Sequence, residues 1–259
     1  MSGTTLTSRP PPLAGFFGKL PGRGDFIGRH LPKTFVGPWD AWLQAAIAHS
    51  RAQMGEAAWR EYYCTSPIWR FALGAGLCGA ETYAGILMPS MDRVGRYYPL
   101  AIAVPLAADG PLLALPLASE DWFQQAERLA LAALERDELD LDAFSRQVAA
   151  LGAPLAPDVP AMATLGNAWY CPLPEPMNLI RAAPVLASHL LRRAFSQPSL
   201  WWTEGSERIV RCLLICAGLP PAAGFAALLD GDWQRSGWNE PSFAGFACLA
   251  GEASATKES

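Results

Sequence analysis

The spacing of apolar residues changes period along the chain. From Leu31 to Met54, Phe35, Trp39, Trp42, Leu43, Ala46 and Ile47 recur every three or four positions. That spacing predicts an amphipathic helix with Pro38 accommodated in its first turn. EAAWREYYC (56–64) predicts a second helical piece. The pattern then shortens into IWRFALG (68–74), TYAGILMPS (82–90) and YYPLAIAVPL (97–106), three strand candidates rich in β-branched and aromatic residues and bounded by glycine and proline. LAGFFGKL (13–20) predicts an earlier buried strand closed by Pro21.

Helical spacing returns after residue 118. Ser119 is placed to cap a helix, with Glu120 and Asp121 in the first turn, where the helix dipole favours acids. Phe123, Ala126, Leu129, Ala130 and Ala133 form its apolar face. Asp140 is placed to cap the next helix, with Phe144, Val148 and Leu151 inside and Gly152 at its end. Proline-rich APLAPDVPAM and CPLPEPMN mark a boundary. A helix (178–195), two strands (SLWWTEG, IVRCLLICAG) and a last helix (222–229) follow. Strands bunched in hairpins with helices grouped between them predict an α/β fold of the α+β type, with a largely antiparallel central sheet flanked by helices. The expected organisation is a flexible tail (1–13), an N-terminal α/β domain (14–152), a smaller C-terminal lobe (153–240) and a second tail (241–259).

With 259 residues, 51% of them hydrophobic, the chain is long enough to bury a stable core. Its net charge of −4 argues against a nucleic-acid protein. The charge is uneven: residues 1–100 carry 10 Lys and Arg against 6 Asp and Glu, and the remainder 10 against 18. A basic front half suits an acidic or phosphorylated partner; scatter over solvated faces is the plainer account. The N-terminus has no basic and apolar leader, and no apolar run approaches the roughly 20 residues of a membrane span. Six cysteines (64, 78, 171, 212, 216 and 248) are scattered along a long chain, unlike the dense spacing of a disulfide framework, so a reduced, cytoplasmic protein is expected. Three lysines against seventeen arginines suggest a GC-rich, bacterial coding sequence.

Several motifs raise and then lose a chemical reading. GAGLCG (Gly74, Gly76, Gly79) matches a dinucleotide fingerprint, but a strand rather than a helix follows it, which favours a glycine-rich hairpin turn. GFFGKLPGRGDF (15–26) lacks the Ser or Thr that follows the lysine of a phosphate loop, and its Arg-Gly-Asp triplet carries no weight in a cytoplasmic chain. Gly22 and Gly24 there permit positive φ, and Asp25 is placed to cap the segment after it. Cys212 and Cys216 share one strand face without further zinc ligands nearby, and read as core. His30, His49 and His189 lack any nucleophile pattern; a hydrolase built on His30 with Asp25 has no nucleophile.

Two features stay open. In MDRVGRYYPL (91–100), Asp92 either braces the turn against Arg93 or Arg96, or these arginines form a fork for an acidic or phosphorylated partner. Adjacent Trp201 and Trp202 face opposite sides of a strand, so one is a possible interface anchor unless a helix covers each face.

The ordered set GFFGKLPGRGDFIGRHLP (15–32), Trp39 with Trp42, MPSMDRVGRYYPL (88–100), PSLWWTEG (198–205) and FAALLDGDW (225–233) resembles the TagF (ImpM) family of type VI secretion-associated proteins. The resemblance implies a longin-like N-terminal part and a cytoplasmic, non-enzymatic regulator that represses secretion after translation. It also implies binding to a forkhead-associated scaffold protein of that system. Some relatives are fused to a metal-dependent phosphatase; the clustered aspartates that such a site needs are absent here. No cofactor or metal is expected. The expected partner surface comprises Lys19, Arg23, Asp25, Phe26, Asp92, Arg93, Arg96 and Trp202. The alternative is a small-molecule or nucleotide-sensing accessory domain using the glycine turns.

Overall fold

The computed structural model describes residues 12–106, 110–135, 138–155, 163–165, 168–170 and 179–238. Apart from Pro12 and Leu13, the tails expected at 1–13 and 241–259 lie outside them, as do Cys171, Cys248 and most of the proline-rich connector. The largest sheet has seven strands: β1 (Gly15–Gly18), β2 (Ile27–Arg29), β3 (Trp69–Leu73), β4 (Thr82–Met88), β5 (Leu100–Leu106), β8 (Pro198–Thr203) and β9 (Cys212–Ala217). Its order is β2-β1-β5-β4-β3-β8-β9, and each pairing is antiparallel. A separate hairpin, β6 (Ala163–Leu165) with β7 (Ala168–Tyr170), falls within the connector and was not anticipated.

The central strands β3 and β4 are buried along their whole length, which is why their sequences run apolar rather than alternating. Helices cover both faces. On one side lie α1 (Lys33–Met54), α2 (Glu56–Thr65) and α7 (Ala227–Asp230); on the other, α3 (Leu115–Ala118), α4 (Glu120–Leu134), α5 (Leu141–Ala150) and α6 (Leu179–Ala194). Residues 198–217, within the expected C-terminal lobe, extend this same sheet and both core layers.

The first layer is an aromatic stack in which Trp39 meets Phe71 at 4.8 Å and Trp42 meets Trp201 at 5.3 Å between ring centroids. Trp202 points into the opposite layer, edge-on to Phe123 at 4.8 Å, and is 6% exposed. Both faces of β8 are therefore covered. Trp202 leaves the candidate surface, because a helix already buries it.

Local signals are mostly obeyed. Asp140 Oδ1 accepts the N–H of Asp142 and of Ala143, each at 3.0 Å, and caps α5 as expected. Ser119 does not cap α4 with its side chain; its Oγ donates to the Leu155 carbonyl instead. Pro38 lies in the helix interior rather than the first turn, where it forgoes a main-chain bond to Thr34. The last helix is split into a 3₁₀ turn (Ala222–Gly224) and α7. GAGLCG closes the β3–β4 hairpin, with Gly76 N–H donating to the Gly79 carbonyl at 2.8 Å, and no helix opens there.

Candidate functional site

Two loops meet at one end of the sheet: the β1–β2 loop from Lys19 to Phe26, and the β4–β5 loop from Pro89 to Pro99. The first leaves β1 at Gly18, whose φ is +149° and whose missing Cβ makes room for the Pro99 carbonyl. A turn follows, with Arg23 N–H donating to the Leu20 carbonyl at 3.0 Å. Neither Gly22 nor Gly24 adopts positive φ, so those glycines do not shape the turn as expected. In the second loop Gly95, at φ +79°, closes a turn by donating to the Asp92 carbonyl at 2.9 Å. The loops are stitched directly: Arg93 N–H donates to the Arg23 carbonyl at 2.8 Å.

Asp92 is the knot. Its residue is 2% exposed, and one carboxylate oxygen accepts Lys19 Nζ at 2.9 Å and Arg96 Nε at 2.6 Å. The other accepts the N–H of Val94 at 3.1 Å and of Arg96 at 2.9 Å. Burial alone would raise the carboxyl pKa, but the hydrogen bonds from Lys19 and Arg96 outweigh it and hold the group well below the usual carboxylate range. Arg96 also donates to the Gly24 carbonyl, tying the two loops a second time. Beneath the knot, Ser90 Oγ donates to the Lys19 carbonyl at 2.8 Å and the buried Tyr63 hydroxyl donates to the Ser90 carbonyl at 2.8 Å.

The brace and the fork are thus divided between the two arginines. Arg96 is the brace with Asp92. Arg93 projects into solvent, and among the described residues its guanidinium makes no ion pair. Lys19, expected at a basic tip, is 6% exposed and committed to Asp92, so it is corrected to a structural role along with Asp92 itself. Arg23 is exposed and donates one bond to the Leu139 carbonyl at 3.0 Å. Exposed Asp25 accepts the N–H of Phe26 at 2.8 Å, a local turn contact. Phe26 is 42% exposed, stacked on Phe17 at 5.6 Å and edge-on to Tyr98 at 4.7 Å. Val94, at the tip, is 67% exposed. The surface that results is basic with apolar points: Arg23, Arg93 and Arg96 around Phe26 and Val94.

Two constellations were missed in sequence. His30 has φ 63°, and its Nε2 lies 3.1 Å from Ser145 Oγ. Ser145 is itself buried within α5, beside the Phe16–Phe144 contact at 4.8 Å, so the pair ties α5 to the strand end. Arg70, in the middle of β3, is 2% exposed and forks two carboxylates: Nη1 and Nη2 to Glu120 at 2.7 and 3.1 Å, Nε and Nη2 to Glu127 at 2.6 and 3.2 Å. Burial opposes its charge, but the hydrogen bonds it donates to both glutamates push its pKa up, and Arg70 in turn lowers that of Glu120. The readable signal was an arginine inside the apolar run IWRFALG, together with two glutamates seven apart on one helix. Among the described residues, no group of three or more His, Cys, Asp or Glu is placed to hold a metal.

Fold and site define an α+β protein whose sheet end carries a braced, arginine-bearing double loop. A family model described as the TagF N-terminal domain, type VI secretion system-associated, matches residues 15–151, which include both loops. A solved structure of PA0076 from Pseudomonas aeruginosa PAO1 is similar at 42% identity with a TM-score of 0.75, over 89% of this chain and 98% of that one. No curated protein matches the chain. The chain belongs to the TagF family and is associated with type VI secretion.

Proposed function

We propose that this protein is a cytoplasmic, non-enzymatic negative regulator of type VI secretion, acting after translation by occupying a forkhead-associated scaffold component. The observation that carries the reading is the division of labour at the double loop. Lys19, Asp92 and Arg96 hold the backbone, while Arg23 and Arg93 are left facing solvent on a pre-shaped tip. A rigid tip loses little entropy on docking, which is how a surface of few residues gains affinity. Arginines presented this way suit a carboxylate- or phosphate-bearing partner. Membership of a secretion-associated family supplies the context. Among the described residues no helix is long and apolar enough to cross a membrane.

The test is calorimetric titration of the purified cognate scaffold with the wild type and with Arg23→Glu/Arg93→Glu. A tenfold or greater loss of affinity is expected in a variant that stays folded by circular dichroism, with only the small loss of melting temperature that follows from the lost Arg23–Leu139 bond. Equal affinity for both proteins would sink this surface, and no binding by the wild type would sink the scaffold reading.

A further inference from the structure

Beside the arginines lies an open pocket of about 260 Å3. Pro21 lines it from the first loop, Pro89 and Met91 from the second, Tyr63 and Cys64 from α2 and Leu134 from the end of α4. Its walls are apolar, and Met91 and Cys64 supply soft, polarizable sulfur. The volume falls below the roughly 300–1,000 Å3 of small-ligand sites, but it accommodates one large side chain.

The chain path couples this pocket to the charged tip. Each loop contributes a wall residue and, two positions later, an exposed arginine: Pro21 then Arg23, Met91 then Arg93. Two residues span at most about 7 Å of chain. The Lys19–Asp92–Arg96 brace fixes both loops, so pocket and arginines keep a set separation. Among the described residues, Glu135 and Glu138 are exposed on the segment after α4, and Glu61 of α2 is paired with Arg208. Asp92 is consumed by its own cations, Asp25 is held in its turn, and Asp140 caps α5 within the field of Arg23.

We propose that the pocket receives the apolar anchor residue of an acidic protein segment, whose flanking carboxylates pair with Arg23 and Arg93. Charge complementarity selects an acidic segment, and the pocket selects its anchor, as a buried aliphatic or aromatic residue does at protein interfaces. This inference rests on the binding reading above and specifies the partner's chemistry at the same surface.

The test uses fluorescent hexapeptides Glu-Asp-X-Glu-Asp-Gly, with X as Leu, Phe or Ser, in polarisation titrations against the full chain. The Leu and Phe peptides are expected to bind at least tenfold tighter than the Ser peptide. Filling the pocket by Cys64→Phe should erase that preference, and Arg23→Glu/Arg93→Glu should weaken all three. In parallel, saturating cognate scaffold should slow alkylation of Cys64 by N-ethylmaleimide at least fivefold. Equal affinity for Leu and Ser peptides, or no binding of any peptide, overturns the inference. Peptide discrimination without scaffold binding leaves the pocket assignment standing and removes the scaffold reading. Scaffold binding that leaves Cys64 alkylation unchanged overturns the pocket and leaves the regulator reading intact.

Discussion

Replacing Lys19 by Met isolates the contribution of the loop brace, because methionine keeps much of the aliphatic stem and deletes the ammonium. The side chains of Lys19 and Asp92 are 8% and 0% exposed and meet at 2.9 Å. Orphaning a buried charge altogether costs about 3–5 kcal/mol. Asp92 is not orphaned here, since Arg96 Nε and the N–H groups of Val94 and Arg96 remain. What is lost is one charge-assisted hydrogen bond, worth about 1.5–3 kcal/mol, so a destabilisation of about 2 kcal/mol at pH 7 is expected. Urea unfolding followed by tryptophan fluorescence reads this directly. The pH dependence follows from the depressed folded-state pKa of Asp92. Its contribution is complete above the ordinary carboxylate value of about 3.9 and drains away as the pH falls below that toward the depressed value. The gap between wild type and Lys19→Met therefore closes only in strong acid, once the carboxylate is protonated in both proteins. A loss under about 0.5 kcal/mol at pH 7 would refute the brace. So would a gap already closed at pH 5.

The two loop arginines separate by the same assay: Arg96→Glu places a like charge against buried Asp92 and should cost about 3 kcal/mol or more, while exposed Arg93→Glu should stay within about 0.5 kcal/mol. Arg70→Met leaves Glu120 and Glu127 without their fork; because those carboxylates are 44% and 21% exposed and regain some water, a melting-curve loss of about 2 kcal/mol is expected. Gly85→Ala drives a methyl into the Phe71 ring and the Ile102 carbonyl, and should destabilise by about 2 kcal/mol in urea, with refolded soluble protein of normal stability as the contrary result. Among the described cysteines, Cys64 should alkylate before Cys78, whose thiol burial pushes up to about 12, and Cys216, pushed up to about 11, as read per site by mass spectrometry.

What the sequence determined by itself is local. Helical spacing located α1, α4 and α5; the Asp140 cap and the opposite facing of Trp201 and Trp202 followed from main-chain geometry within a few residues. The continuous apolar runs of β3 and β4 announced burial on both faces, though not strand order, because every such run satisfies the same pattern. Three-residue β2 was invisible, since it exists as a strand only by pairing with β1, and the β6–β7 hairpin, with two three-residue strands lying between the two proline-rich stretches, was too short to show a period of its own. The candidate site was half legible. Its two loops were singled out as basic turns, but nothing local says that residue 19 meets residue 92 or that residue 70 meets residues 120 and 127. Those contacts arise because sheet order carries distant segments to one end or face, where the low-dielectric interior then demands a partner for every charge. Tertiary structure alone decided which arginine became strut and which stayed free, and it turned Lys19 inward and covered Trp202.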